Sequence, residues 1–226
     1  YVIQQTIAST SSFVVSITLV FVYTFLFLLY RTSFKNFLLS YFPEDKRGYI
    51  SRILNDIRHV VKDYFVGLII IILILGTLNG LGLLVIGLDF PFLFGFFAAI
   101  LAIIPYIGTF IGGLLPFIYA LVNSDSLWTP LLVVLWYGFV QSVEGNFLTP
   151  KILGSRVSLN PLFALIALLI GGFLWGIPGM ILFIPILAIV KVIIDRIEPL
   201  KPVGVILSSH FGKDKPDRFD VLKEKM

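Results

Sequence analysis

Residues 91–122 read PFLFGFFAAILAIIPYIGTFIGGLLPFIYALV, an uncharged apolar stretch with the motif PYIG at 105–108. Pro105 removes a backbone hydrogen-bond donor and its ring clashes with the preceding turn, so a helix is expected to break there. Each arm flanking the motif has 14 residues, fewer than the ~20 that cross a membrane as a helix. The stretch therefore predicts either one long kinked helix or a re-entrant hairpin with its tip at 105–108.

The same pattern returns at residues 161–192, which read PLFALIALLIGGFLWGIPGMILFIPILAIVKV. The spacing of the prolines is similar, because Pro91 and Pro116 are 25 positions apart and Pro161 and Pro185 are 24 apart. Each broken stretch also follows a predicted spanning helix. The similarity predicts an internal repeat of one spanning helix followed by one broken segment.

In the second stretch, breaks are predicted at 171–172 and at 176–179. Lipid cannot pair the backbone N–H and C=O groups that a break exposes, so broken backbone persists in a membrane where it lines water, protein or a ligand. Broken helices at matching positions of two halves are typical of transporter substrate sites. The repeat therefore indicates transport.

Composition places the chain in a membrane. Hydrophobic residues make up 58% of its 226 residues and charged residues 13%, against about 45–50% and about 25% in soluble domains. The predicted fold is an all-α polytopic membrane protein with two re-entrant hairpins. The other predicted elements are spanning helices at 13–30, 64–88 and 128–143, a cytoplasmic amphipathic helix at about 44–63, a membrane domain at 1–195 and a basic cytoplasmic tail at 196–226.

Lysine and arginine flank the predicted spans, and the positive-inside rule places such loops in the cytoplasm. If both broken segments are hairpins, Lys151, Arg156 and the C-terminal tail all lie in the cytoplasm. If both segments cross the membrane instead, Lys151 and Arg156 lie outside, against the rule. The charges therefore favour two hairpins that enter from opposite sides, which is an inverted-topology repeat with a cytoplasmic C-terminus.

The two hairpin tips are predicted to meet near the middle of the membrane and to form the substrate site. Helix ends at a break present backbone N–H groups to oxygen-rich solutes. A small furanosyl-type polyol suits such a neutral site. The predicted substrate-binding residues are Pro105, Tyr106, Gly108, Gly172, Gly176 and Gly179.

Glu144 is predicted to couple transport to an ion or a proton, because a carboxylate at membrane depth is costly and marks function by default. The alternative is a structural pair with Lys151 or Arg156. Asn79 is predicted to hydrogen-bond across helices. Pro150 is expected to end its helix, because a residue before proline avoids the helical region. Structural or hinge roles are thus predicted for Asn79, Pro116, Pro150 and Pro185.

Several classes of function lack their motifs in the sequence. The chain has no cysteine, which excludes thiol nucleophiles, disulfides and cysteine-ligated metals. It also contains no HExxH, no GxSxG and no phosphate-binding loop, so neither an enzyme, a cofactor nor a metal is predicted. The net charge of +4 is explained by membrane-flanking loops, and nucleic acid is not an expected partner.

Two stretches resemble the autoinducer-2 exporter (AI-2E) family of permeases: IPYIGTFIGGLLPFIYAL at 104–121 and QSVEGNFLTPKILGSR, continuing into the second broken segment, at 141–193. Thr109 and Asn160 depart from the residues usual in the family. The resemblance implies an eight-helix-type permease of the bacterial inner membrane that contacts lipid, moves a small molecule or ion and forms a homo-oligomer. It also implies that N-terminal membrane segments precede this chain.

Three functions follow from the resemblance and the repeat. The first is export of a small molecule, for instance an autoinducer-2-like signal. The second is sodium (lithium)/proton antiport, which calls for buried carboxylates, and the chain offers few besides Glu144. The third is a membrane scaffold that transports nothing, which the matched broken segments disfavour.

Overall fold

The computed structural model describes residues 2–104, 107–152 and 159–208, with the backbone alone at 2–12, 107 and 150. These residues fold into helices, and the pairing of Leu159 with Ser208 is an isolated antiparallel bridge. The all-α prediction is confirmed. The α-helices are α1 (Val2–Ser40), α2 (Glu44–Ile86), α3 (Pro91–Leu101), α4 (Ile107–Asn123), α5 (Trp128–Val143), α6 (Thr149–Ile152), α7 (Pro161–Trp175), α8 (Ile177–Arg196) and α9 (Lys201–Ile206).

Among the residues that the structure describes, four helical stretches are long and apolar enough to cross a membrane, as a polytopic membrane protein requires. They are Phe13–Ser40, Glu44–Ile86, Trp128–Leu148 and Ile177–Arg196. Three shorter apolar helices accompany them: Pro91–Leu101, Gly108–Asn123 and Pro161–Trp175.

The chain forms two compact units, Tyr1–Leu54 and Asn55–Met226. In the first unit, α1 extends beyond the span predicted at 13–30 at both ends, and hydroxyls inside it bond to their own helix. The Thr18 hydroxyl donates to the Val14 carbonyl at 2.9 Å and the Thr24 hydroxyl to the Val20 carbonyl at 2.7 Å. Such bonds keep polar side chains paired in an apolar helix.

Two helical hairpins dominate the second unit. In hairpin 1, α3 packs against α4, and in hairpin 2, α7 packs against α8. Pro91 and Pro161 each stand at the start of the first arm, where the missing N–H costs nothing. With 11 residues, α3 is about 16 Å long and cannot cross a membrane. The predicted breaks at the two centres are confirmed.

Breaks expected beside the tips are absent, because α7 runs unbroken through 171–172 and the second arms run through Pro116 and Pro185. The turn of hairpin 2 is a single residue, Gly176, with φ of 66° and ψ of −144°. That backbone conformation favours glycine. Gly179 lies in the first turn of α8, and the hinge roles of the two prolines stay predictions.

The arms of hairpin 2 touch at Gly171 and Gly179, where a Cβ on either residue would collide with the carbonyl of the other. In hairpin 1, a Cβ on Gly112 would lie 2.7 Å from the Ala98 Cα. Small residues therefore permit close helix packing in both hairpins.

The two hairpins open towards different ends of α2. Asp89 lies three residues after the end of α2, and its carboxylate accepts from the Tyr119 hydroxyl near the end of α4 at 3.2 Å, so both ends of hairpin 1 lie there. At the end of hairpin 2, Arg196 pairs with Asp56 of α2. The backbone N–H of Asn160, just before α7, donates to the Leu207 carbonyl at 2.8 Å. The arrangement is that expected of an inverted repeat. Re-entry into a membrane and the inverted relation stay predictions.

One boundary differs and one further expectation was wrong. The helices predicted at 44–63 and 64–88 form one continuous helix, α2, and the amphipathic, cytoplasmic character of its first part stays a prediction. The chain stays helical through Pro150, since a five-residue π-helical turn, Glu144–Leu148, carries it into α6 and proline is tolerated in a first turn.

The predicted tail begins as ordered structure, because α9 packs back on α8. Residues 209–226 lie outside the described part.

Gly95→Ala tests the contact between hairpin 1 and α2. The added Cβ would lie 2.5 Å from the Gly80 amide nitrogen and 2.7 Å from the Gly76 carbonyl oxygen. Because helix backbone cannot yield cheaply, the free energy of unfolding should fall by about 1–3 kcal/mol, measured by thermal unfolding in detergent. Gly138→Ala is the matched control, because its Cβ meets no atom within 4 Å. Equal behaviour of the two variants would contradict the packing.

Candidate functional site

A small polar cavity lies between α2, hairpin 1 and α5. Its volume is about 10 Å³, room for about one water molecule. Apolar and small residues form much of the wall, and five polar side chains face it. The lining residues are Leu75, Asn79, Ala98, Ala99, Ala102, Thr109, Tyr137, Val140, Gln141 and Glu144.

Three polar atoms of this cavity are buried without a hydrogen-bond partner among the described residues: Asn79 Oδ1, the Tyr137 hydroxyl and Glu144 Oε2. Asn79 is only 4% exposed. Among the described residues that are buried, the others are apolar or aromatic residues, glycines or prolines, and Asn79 has the polar amide side chain. A buried polar group without a partner costs about 1–3 kcal/mol. Three such atoms on one cavity therefore point to a polar occupant rather than to core packing.

The helix register explains why these residues converge. Tyr137, Gln141 and Glu144 follow one another at i, i+4 and i+7, which is one face of a helix. Gln141 also hydrogen-bonds with the Glu144 side chain. The other oxygen of that carboxylate, Oε2, remains unpaired. Glu144 opens the π-helical turn, and π-turns inside α-helices frequently mark functional sites.

Close helix packing brings α2 to this face. Leu75 and Asn79 are one turn apart on α2, and Gly76 and Gly80 beside them let Phe96 and Phe92 of α3 approach their backbone. The wall on that side consists of alanines of α3, which leave the space that larger side chains would fill.

The cavity joins two of the predicted residues, Asn79 and Glu144. Gly108 is buried beside it, at the start of α4, where a Cβ would collide with the Leu101 carbonyl. Pro105 and Tyr106 lie outside the described residues. The predicted residues Gly172, Gly176 and Gly179 belong to hairpin 2 and are absent from the cavity wall. A joint site of both tips stays a prediction.

Three polar contributors to the cavity, Thr109, Tyr137 and Gln141, are missing from the residues that the sequence predicts for the site. Thr109 stands out in the sequence only as a departure from the family pattern, and Tyr137 does not stand out at all. The signal for Tyr137 is its position four residues before Gln141 and seven before Glu144 on an otherwise apolar helix. Polar residues at helical spacing on an apolar segment share one face.

In the part of the chain that the structure describes, no three His, Cys, Asp or Glu residues lie close enough together to hold a metal ion. The polar contacts that the cavity offers are one carboxylate, two hydroxyls and two amides. These groups bind through hydrogen bonds or as oxygen ligands of a single cation.

Long apolar helices, two hairpins that include the shorter helices, and a cavity with polar side chains in its wall define a polytopic membrane protein of the transporter class. The chain belongs to the AI-2E family transporters, whose family model matches residues 2–198.

Relatives of this chain carry the names of transport proteins. YueF of Bacillus subtilis, which carries the name of a transport protein, is 31% identical over 193 residues, covering 84% of this chain and 52% of that protein. YrrI of the same organism is named likewise and is 38% identical over 147 residues, covering 65% of this chain and 40% of YrrI. The AI-2 transport protein TqsA of Escherichia coli is 30% identical over 166 residues, covering 74% of this chain and 47% of TqsA. The chain thus spans about half the length of these relatives.

Tyr137→Phe tests whether the cavity hydroxyl lacks a protein partner. Removing an unpaired buried hydroxyl should raise the free energy of unfolding by about 1 kcal/mol, measured by thermal unfolding. Tyr119→Phe is the matched control, because the Tyr119 hydroxyl donates to Asp89 and its loss should lower stability by about 0.5–1.5 kcal/mol. A loss of stability in Tyr137→Phe would show that its hydroxyl is already satisfied.

Proposed function

We propose that this chain is the core of a permease that exports a small, hydroxyl-rich molecule, of which an autoinducer-2-like signal is the leading example. The observation that carries the proposal is the group of three unpaired polar atoms on one cavity. Two of them are acceptors and the third is a hydroxyl that donates or accepts. A solute with several hydroxyl groups pairs with all three at once.

The cavity holds about 10 Å³, too little for a sugar-sized solute. Passage therefore requires hairpin 1 to move relative to α2 and α5. The two tips, 105–108 and 176–179, are the proposed gates. Gly108 and Gly179 lie in close contact with neighbouring backbone, so the tips must separate from it before a solute can pass. The opposite opening directions of the hairpins support alternating access.

A second candidate is cation/proton antiport. Asn79 Oδ1, the Tyr137 hydroxyl and Glu144 Oε2 are hard oxygen ligands, and a water-sized cavity suits a small monovalent cation. In the described part of the chain the cavity has one carboxylate, so exchange would replace the cation on Glu144 by a proton. A pH dye inside proteoliposomes that responds to a sodium or lithium pulse, with no organic solute present, would favour this function.

The proposed location is the bacterial inner membrane, with several spans and a cytoplasmic C-terminus. The Asp56–Arg196 pair supports the topology, because it joins the basic half of α2 to the end of α8. Both belong to the side that the positive-inside rule assigns to the cytoplasm. Assembly into a homo-oligomer is part of the proposal and is measured by native mass spectrometry of the full-length protein.

The direct test is flux by the purified full-length protein in proteoliposomes. Radiolabelled autoinducer-2, ribose and glycerol serve as the solute panel, with and without sodium and proton gradients. Accelerated flux of a hydroxylated solute over empty vesicles supports the permease. Vesicles that show neither solute flux nor a cation-driven pH change would leave both functions without support.

Glu144→Gln tests coupling, since it removes the charge but keeps the shape and the hydrogen bond with Gln141. If the carboxylate carries the coupling proton or cation, gradient-driven flux should fall about tenfold or more, the order that one proton-transfer group contributes. The dependence of the remaining flux on pH should also flatten. Unchanged flux and pH dependence would return Glu144 to a structural role.

The matched control is Glu198→Gln, at an exposed carboxylate that pairs with Lys201 at 3.4 Å. Its flux should equal that of the unaltered protein, because a surface ion pair contributes little to stability and has no place in the cavity.

A further inference from the structure

Helix α8 contains Pro185, which leaves one backbone carbonyl of the helix without its usual donor, and a side chain of α2 donates to that carbonyl instead. Pro185 has no N–H, so the Ile181 carbonyl four residues earlier lacks its usual donor within α8. The Tyr64 hydroxyl of α2 donates to that same carbonyl at 3.3 Å. Tyr64 is 3% exposed, so the hydroxyl is committed to this contact inside the protein.

The bond is long for a hydroxyl and a carbonyl, whose usual separation is about 2.7–2.8 Å. It is therefore weaker than a bond within a helix and can be broken without unwinding either partner. The proline ring also prevents the normal helical bond at this point of α8. A bend in α8 costs least where one intrahelical bond is already missing.

A second contact ties the end of α8 to the same partner helix. Arg196 in the last turn of α8 pairs with Asp56 of α2, eight residues before Tyr64. The side chains of Arg196 and Asp56 are 42% and 38% exposed. Partly exposed ion pairs are weak and are screened by salt, so this contact is also easily opened.

Near the tip of hairpin 2, the end of α7 and the first turns of α8 pack closely against each other. Gly171 of α7 and Gly179 of α8 lie in backbone contact, and the Trp175 and Phe183 rings meet edge to face with centroids 5.7 Å apart. The first turns of α8 and the end of α7 thus move as one body, with Pro185 at its boundary.

We propose that Pro185 is the hinge of hairpin 2 and that two contacts on α2, the Tyr64 hydroxyl with the Ile181 carbonyl and Asp56 with Arg196, form a latch. Tyr64 is a positioning residue that holds α8 in the conformation described. Opening of the latch lets the tip of hairpin 2 swing during transport. The last step rests on the proposed function, whereas the hinge and the latch do not.

A double-variant cycle tests the hinge contact. Tyr64→Phe keeps the ring and removes the hydroxyl, so the Ile181 carbonyl is left unpaired and the apparent Tm of the full-length protein should fall by several degrees. In a Pro185→Ala background, the introduced alanine supplies an N–H to that carbonyl, and Tyr64→Phe should then change the Tm little. Tyr23→Phe, at an exposed tyrosine of α1, controls for loss of a hydroxyl as such.

Equal losses of Tm in both backgrounds would overturn the hinge contact, because they would show that the Tyr64 hydroxyl does not serve the carbonyl that the proline leaves free. Should Pro185→Ala fail to fold, Pro185→Ser supplies the same N–H and serves as the second background.

Spin labels test the movement without any solute. This chain has no cysteine, so cysteines introduced at the exposed positions Ile69 of α2 and Phe173 near the tip of hairpin 2 carry the labels, with any cysteine elsewhere in the full-length protein replaced. Double electron–electron resonance in liposomes should show a main short distance and a minor longer one. Asp56→Asn and Tyr64→Phe should each raise the longer population severalfold, as should high salt in the unaltered protein.

The charge-swapped pair, Asp56→Arg with Arg196→Asp, should restore the short distance. One narrow distance in every variant would overturn the latch. Because this readout needs no substrate, an opening latch in a protein without flux would remove only the proposed function. If the protein shows flux but the distance between the labels is the same in every variant, the latch is contradicted and the proposed function is not.

Discussion

Close approach of helix backbones along α2 is the constraint on which the rest of the second unit depends. At Gly76 and Gly80 the absence of a Cβ lets the rings of Phe96 and Phe92 lie against α2, and Gly95 of α3 touches the α2 backbone directly. In lipid the attraction between helices comes from such packing and from interhelical hydrogen bonds, because apolar side chains gain nothing by leaving it. The cavity exists because these glycines set α3 and α2 at a fixed separation.

Polar groups that lack a partner within their own helix recur among the described residues of this protein. The Ile181 carbonyl, freed by Pro185, is paired by the Tyr64 hydroxyl of a distant helix. The three atoms on the cavity are not paired by the described residues. The same energetic rule therefore separates structure from function: a polar atom that neighbouring helices satisfy stabilises the fold, and one that they leave unpaired is available to a solute, an ion or a proton.

The two hairpins and the α5 boundaries were predictable from the sequence, because proline, glycine and hydrophobic length act locally. Trp128–Val143 forms α5 as predicted. The expectations that failed are the break at 171–172 and the helix end at Pro150. Gly171 and Gly172 lie inside α7 and pack against α8, and α8 stays helical through Pro185, where the Tyr64 hydroxyl donates to the Ile181 carbonyl. Whether a glycine or a proline interrupts a helix depends on the helices packed against it. The sequence around that residue does not reveal which helices those are.

Sequence alone determined the membrane class, the family resemblance, the two interrupted segments and the candidacy of Glu144 and Asn79, since each rests on residue type and spacing along one segment. Tertiary structure decided that Asn79, Thr109, Tyr137, Gln141 and Glu144 share one cavity and that Tyr64 serves a carbonyl 117 residues away. The physical reason is that the register and rotation of packed helices set which side chains meet. Those quantities arise from the shapes of two surfaces together, and neither segment of sequence carries them by itself.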